Sequence, residues 1–387
     1  MEHIYLNENA QSSGVGTSPG RGPLEFHRKL PGYEPTPLID APALAENLGV
    51  GRVWVKDESS RIGLPAFKIL GASWAIYREL QKRVDNLDDW QTLDELSERL
   101  ESIRPMTLSA ATDGNHGRAV ARMAALLGFD ATIYVPAGTS QARIDAIASE
   151  GASVTVVEGT YDEAVARSAE DAGERCLVIS DTSWEGYQDV PLNVIDGYST
   201  ILAEIDDQLA ERGEPQPDVV VVQIGVGALA SAVVAHYRQE GRGANPKIAG
   251  VEPVVANCML QSMRAGQVVT IPGPQDSIMA GLNCGTPSLL AWPIVSTGTD
   301  VFVEIDDDRA REAMRSLAGV GVVAGETGAA GLGGLIEMLA GPEAQECREF
   351  LGIDQSSSVL LFVTEGATDP EAYRSIVGHE PSDLVHE

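Results

Sequence analysis

The chain is short of basic residues: Lys and Arg number 27 against 57 Asp and Glu, a formal net charge of −30. Such a surface repels phosphate backbones and anionic lipid, so nucleic acid and membranes are poor partners. The acidity suits a salt-rich setting or plain solubility and names no substrate. Cysteine is scarce as well. Cys176, Cys258, Cys284 and Cys347 are scattered and show no CxxC spacing, which argues against a disulfide framework and against a metal site. No stretch is apolar for long enough to span a bilayer, and nothing near Met1 combines a basic start, an apolar run and a small-residue cleavage site. A cytoplasmic protein with reduced thiols and no metal is expected. What the chain does have is glycine, 40 of its 387 residues, with 43% hydrophobic residues, a globular composition of a length that suits two domains.

The opening, through the Gly and Ser run QSSGVGTSPGRG, has no hydrophobic period and reads as a mobile or draped arm. From Gly51 the run GRVWVKDES is β-like, and from Lys68 the residues KILGASWAIYREL space their apolar side chains as a helix does. A charged stretch from Asp85 to Arg104 reads as solvated helix. Beyond it β-like runs (MTLSAAT, DATIYVP, ASVTVVE, CLVIS) alternate with helical ones (HGRAVARMAALLG, QARIDAIASEG). A second series holds the helix candidate NVIDGYSTILAEIDDQLAER, the run PDVVVVQIG, a helix from Ala228, KIAGVEP and a last strand, SSSVLLFVTEG. Strands alternating with helices predict parallel sheets, whose ligands gather at the carboxyl ends of the strands. The expected fold class is therefore α/β, with two open parallel-sheet domains and the active site between them. The larger takes residues 1–78 and 200–387, the smaller 79–199.

Three segments carry chemistry. In KDESSRIGLPAFKILGAS, Lys68 follows Phe67 and starts a helix, a setting that favours the neutral amine needed for a Schiff base. A lone lysine, however, is as a rule a snorkelling one. In SAATDGNHGRAVA a strand end runs through a glycine-rich turn into a helix, presenting backbone N–H groups to an anion such as an amino acid carboxylate. Asn115 can there reach a phenolic oxygen or ring edge, whereas His116 reads more readily as a capping or packing residue. In VVVVQIGVGALASAVVAHYR a buried strand delivers GVGAL to a helix N-terminus, where successive amides cradle a phosphate. The spacing is not GxGxxG and no acidic ribose-binding residue follows, so a dinucleotide site is not indicated; a plain tight turn stays open.

Together, KDES with the following FK, DGNHG and the late glycine turn resemble the fold type II pyridoxal-phosphate enzymes, the group of the threonine and serine dehydratases and of the tryptophan synthase β-chain. Within it ATDGNHGRAVA, ISDTSWEGYQDVP, AGLNCGTPS and FVTEGATDP are similar to the diaminopropionate ammonia-lyases, over nearly the whole chain after Pro31. Common dehydratases carry a small residue where this chain has Asp113 and lack a DTSWEGY-like segment. Pro65 stands where the family pattern has Asn, a departure that touches the local turn and leaves Lys68 in place.

The resemblance implies pyridoxal 5'-phosphate as cofactor and α,β-elimination of 2,3-diaminopropionate, D or L, to pyruvate and two ammonia. It implies Lys68 as the Schiff-base residue and as base and acid, Asp113 as a second base, and Asp181 as an acidic group facing the substrate. Phe67 and Asn115 border the cofactor, the latter at its phenolic oxygen. Gly225, Val226, Gly227, Ala228 and Leu229 hold its phosphate, and Thr364 meets its pyridine nitrogen. Thr112, Asp113, Gly114 and His116 line the substrate's carboxylate turn, and Glu326 approaches the ring. The resemblance also implies a homodimer. Cys258 and Cys284 are expected near one another by the active-site mouth, as a disulfide under oxidation or as two buried thiols. The rivals are a serine or threonine dehydratase or a β-replacing synthase and, from another class, a catalytically silent ligand-binding module. Asp113 speaks against the first, because a β-ammonium gains more from a carboxylate than a β-hydroxyl does. Retention of Lys68 with every cofactor contact speaks against the second.

Overall fold

In a computed structural model that describes residues 3–112 and 114–384, the chain forms two compact units. One comprises Met1–Ser18, Pro35–Ser60 and Ile201–Glu387; the other comprises Pro19–Glu34 and Arg61–Thr200. The boundary expected after residue 78 falls instead after residue 60, because the helix Lys68–Gln81 packs on the helix Asn115–Leu127 inside the second unit. Residues 19–34 join it there.

The first unit is built on a seven-stranded sheet in the order Ile4–Leu6, Val301–Ile305, Lys247–Pro253, Val219–Gln223, Ser358–Val363, Arg52–Asp57, Leu38–Asp40. The inner strands are parallel and the two edge strands antiparallel. Val219–Gln223 and Ser358–Val363 are buried at every position. A strand covered on both faces has no polar side to show, which is why each reads as an unbroken apolar run. Val219, Val220 and Val221 lie opposite Val359, Leu360 and Leu361, so the two strands finish at the same end of the sheet. Gln223 there leads into the glycine turn and the helix Ala228–Tyr237, and Val363 leads into Thr364. The helix Glu326–Ala340, rich in glycine and alanine and buried along nearly its whole length, packs on these strands.

The second unit carries a four-stranded, all-parallel sheet in the order Ser153–Val157, Asp130–Pro136, Thr107–Ala111, Cys176–Val178. Thr112 follows the end of one central strand, and Asp181 comes shortly after Val178.

Of the two readings of the opening, the draped one holds: Ile4–Leu6 pairs with Val301–Ile305, Tyr5 facing Phe302, and Val15 is buried. The strand itself went unseen because a run of three residues is too short to show a period. The charged stretch 85–104 is not one solvated helix. It holds the helix Leu93–Arg99 and the 3-10 turn Glu101–Ile103, and Trp90, Leu96 and Leu100 are buried.

Lys56, on the strand Arg52–Asp57, is fully buried among polar partners. Its Nζ donates to Glu204 Oε2 at 2.7 Å, to the Thr36 carbonyl at 2.8 Å and to Gln208 Oε1 at 3.1 Å, while Thr36 Oγ1 donates to Glu58 Oε1 at 2.6 Å. Breaking one side of a buried pair strands the other charge. Lys56→Ala is expected to lower stability by about 3–5 kcal/mol, read as a lower urea midpoint, whereas replacing Lys56 and Glu204 together by Met and Leu recovers most of it.

Candidate active site

Lys68 opens the helix Lys68–Gln81, directly after Phe67. Its ammonium sits 5.5 Å from the centre of the Phe67 ring and 6.0 Å from that of Tyr198, and the two rings pack at 4.6 Å. Lys68 Nζ donates to Asp181 Oδ2 at 2.7 Å, and the Tyr161 hydroxyl donates to Asp181 Oδ1 at 2.9 Å. The expectation placed Asp181 toward the substrate; in the structure both its oxygens are engaged by these partners. Burial opposes ionisation of Asp181, but the charge of Lys68 and the hydrogen bonds from Lys68 and Tyr161 outweigh it. Together they hold the carboxyl well below the usual carboxylate range. Asp181 is thus a fixed negative charge at the lysine's tip.

The segment around Asp181 explains the DTSWEGY sequence. Trp184 and Tyr187 pair across a short antiparallel bridge with their rings stacked at 4.1 Å. The Tyr187 hydroxyl then donates to the Val178 carbonyl at 2.6 Å and accepts from the Ser180 N–H at 3.1 Å. These bonds tie the loop that carries Asp181 to its own strand end.

The DGNHG turn begins at the end of the strand Thr107–Ala111. Gly114 has φ +153°, a conformation that a side chain resists, and its N–H donates to Thr112 Oγ1 at 2.9 Å. Asn115 is the first residue of the helix Asn115–Leu127, whose first turn supplies N–H groups that no intrahelical carbonyl can reach. His116 is buried, with Nε2 2.8 Å from the Ile179 carbonyl. A carbonyl only accepts, so Nε2 carries the hydrogen and Nδ1 is bare, with no partner among the described residues. Burial pushes the imidazole pKa down, which keeps the ring neutral. His116 here ties the turn to the segment that carries Asp181. Asp113 lies outside the described residues.

In the first unit, Gly225, Val226 and Gly227 turn the chain from Gln223 into Ala228 and Leu229, the start of a ten-residue helix. The turn is tight enough to need its glycine. Gly227 has φ +101°, and a Cβ there would stand 2.8 Å from the Ala291 Cβ and 3.0 Å from the Met259 Cε. Cys284 Sγ would lie 3.5 Å from a Cβ built on Gly225, and both Cys284 and Cys258 are buried. Thr364 is buried just past the strand Ser358–Val363 and its Oγ1 accepts from Gln223 Nε2 at 3.0 Å. Glu326 begins the helix Glu326–Ala340 and is buried. Among the described residues no group of three or more His, Cys, Asp or Glu could hold a metal ion, and no helix is long and apolar enough to cross a membrane.

The pieces suit pyridoxal phosphate. A glycine turn packed too tightly against Ala291 and Met259 to carry a side chain leads into a helix N-terminus whose N–H groups could take a phosphate. The Thr364 hydroxyl, beside an amide that can only donate, has a proton it could offer to a ring nitrogen, and a lysine is positioned by a charge and two rings. Tyr161 and Gln223 were not legible as site residues. Tyr161 lies in the ordinary helical sequence GTYDEAVA, with no signal to mark it, whereas Gln223 had one: it is the polar residue closing an otherwise apolar strand. Gly227→Ala, judged by urea unfolding of the cofactor-free protein, is expected to cost about 1–3 kcal/mol from the strained φ and the crowded Cβ.

The chain has known relatives. The family model for pyridoxal-phosphate dependent enzymes matches residues 29–351. Over 372 residues the chain is 38% identical to the diaminopropionate ammonia-lyase of Salmonella typhimurium, covering 92% of this chain and 91% of that protein. Its fold matches the crystal structure of the Escherichia coli diaminopropionate ammonia-lyase in complex with D-serine with a TM-score of 0.87 at 35% identity, over 97% of this chain and 96% of that one. Against the same enzyme in complex with an aminoacrylate-PLP azomethine reaction intermediate the TM-score is 0.81 at 36% identity, with the same coverage. Similarity of sequence over 92% of the chain and similarity of fold over 97% thus agree, and the chain belongs to the pyridoxal-phosphate dependent enzymes, among the diaminopropionate ammonia-lyases.

Proposed function

We propose that this enzyme eliminates ammonia from 2,3-diaminopropionate, in the D or L form, and releases pyruvate and a second ammonia. The observation that supports the reading most is the contact of Lys68 with a carboxylate kept ionised inside the protein. In this proposal Lys68 Nζ attaches the cofactor, with Phe67 and Asn115 bordering it. The turn from Gly225 through Val226, Gly227 and Ala228 to Leu229 takes its phosphate, and Thr364 donates to its ring nitrogen. Bound pyridoxal phosphate supplies the electron sink that makes the α-proton removable.

The protein's part is placement. Thr112, Gly114 and the first helical turn after it receive the substrate carboxylate, with His116 bracing that turn. Lys68 Nζ, once the substrate amine has displaced it, takes the Cα proton. The Cβ–N bond then breaks with its electron pair on nitrogen, and the departing amine takes a proton from the same Nζ. The released enamine hydrolyses in water to pyruvate and ammonia. Asp181, held by Tyr161, keeps the lysine tip in one position through the cycle. Asp113 is assigned as the base for the D-enantiomer, whose proton faces away from Lys68. Glu326 is placed near the ring. The working form is assigned as a cytoplasmic homodimer, with sedimentation as its test.

Two variants test the assignment. Lys68→Ala is expected to lose pyruvate release altogether while the phosphate turn still binds cofactor without a covalent link, seen as a changed visible spectrum; wild-type turnover there would overturn it. Asp113→Asn keeps the shape and removes the base. It should cost D-diaminopropionate turnover about two orders of magnitude, the scale of general-base catalysis. The L-form should lose less and serine least. Equal losses in a pyruvate assay over the three substrates would reduce Asp113 to a support for its turn.

A further inference from the structure

Gln223 closes the buried strand Val219–Gln223, one residue before the phosphate turn, and is itself 3% exposed. Its Nε2 lies 3.1 Å from the Thr327 carbonyl, 3.3 Å from that of Gly328, 3.1 Å from that of Phe362 and 3.0 Å from Thr364 Oγ1. Three of these four neighbours are main-chain carbonyls, which can only accept. The amide must therefore turn its NH₂ toward them, since the reverse orientation would set oxygen against three oxygens. Its Oε1 faces the other way, against Gly331, where a Cβ would come within 3.3 Å of it, and has no hydrogen-bond partner among the described residues.

The orientation has a chemical consequence at Thr364. A threonine hydroxyl has one proton to give and two lone pairs to receive. The fourth neighbour of that NH₂ is Thr364 Oγ1, and although its two protons cannot serve all four oxygens, the amide nitrogen can only donate, so the Thr364 O–H must point away from Gln223. We infer that Gln223 is a positioning residue that fixes the Thr364 hydroxyl as a donor toward the cofactor's ring nitrogen, through an amide whose own direction is dictated by the carbonyls of Thr327, Gly328 and Phe362. The inference rests on the reading of Thr364 given above and adds what enforces it. A nitrogen that receives a hydrogen bond on its lone pair is kept from taking a proton there. The backbone of two different elements, the strand end Phe362 and the helix start Thr327–Gly328, thus sets the protonation state of the ring through a single side chain.

The test reads the nitrogen directly. Protein loaded with pyridoxal phosphate labelled with ¹⁵N in the ring is compared by NMR in the wild type, Thr364→Val, Thr364→Ser, Gln223→Met and Gln223→Glu. Thr364→Val is expected to move the ring-nitrogen signal toward that of an unprotonated nitrogen without a donor, and Thr364→Ser to leave it near the wild type. Gln223→Met frees the hydroxyl to rotate toward the abandoned carbonyls. Gln223→Glu sets a carboxyl against the same carbonyls, so it is held protonated; its one O–H is drawn to a main-chain carbonyl, and its oxygens are left as acceptors toward which the Thr364 hydroxyl can turn. Each should move the signal the same way as Thr364→Val, by at least half as far. If Gln223→Met does not fold, Gln223→Glu carries the comparison. Should Thr364→Val move the signal while neither Gln223 variant does, Gln223 is only a structural amide and the inference is overturned. Should Thr364→Val leave the signal unchanged, the placement of Thr364 itself is wrong, and the inference falls with it.

Discussion

Parallel strands cannot be joined by a tight turn, and everything functional in this molecule follows from that constraint. Each strand must be followed by a crossover, usually a helix, so each carboxyl end is followed by a turn and each turn by a helix start with N–H groups to spare. Thr112 and the DGNHG turn follow Thr107–Ala111, and Asp181 follows Cys176–Val178. The glycine turn follows Val219–Gln223, and Thr364 follows Ser358–Val363. Burial of these strands on both faces makes the turns the places where polar groups can surface without breaking the core.

Two buried carboxylates show how closely such polar groups depend on their partners. Asp181 has a lysine and a phenol at its two oxygens and is held ionised. Glu252, on Lys247–Pro253, accepts, among the described residues, the N–H groups of Met259 and Leu260, at 2.8 and 2.7 Å. Burial dominates there, and its pKa is pushed up to about 8 in spite of those bonds, with the charge of Glu304 adding to the rise. Neutral donors at the start of a helix do not replace a cation. The difference separates a carboxylate that holds the Lys68 ammonium in place from one that meets the first N–H groups of the helix Cys258–Ala265.

The parallel sheets and most long elements were legible because their signals are continuous: the VVVV run, the helical spacing after Lys68, the alternation from Thr107 to Val178. The turns were legible because glycine is conspicuous where φ is positive or space is short, as at Gly114 and Gly227. Short elements were not. Ile4–Leu6 owes its existence to Val301–Ile305, a partner some three hundred residues away. The same holds for side chains whose role lies in a tertiary contact. Asp181 was noticed as an acid, yet its partner Tyr161 was not, since nothing local announces that a tyrosine opening one helix will meet an aspartate at the end of another strand. The helix Lys68–Gln81 was placed correctly along the chain and grouped with the wrong neighbours, because grouping depends on packing that periodicity does not encode.

The interrupted first unit also bears on how the chain is made. Its sheet draws strands from residues 4–57 and then from 219–363, while the second unit is spelled out almost entirely in between. During synthesis the strand Arg52–Asp57 leaves the ribosome long before Ser358–Val363, the neighbour that covers its open side. The four-stranded sheet has all its strands by Val178, and the unit around it ends at Thr200. The nascent chain should therefore carry a finished inserted unit while the strands of the other wait with exposed edges, the stage at which such a chain is most open to chaperones and to aggregation.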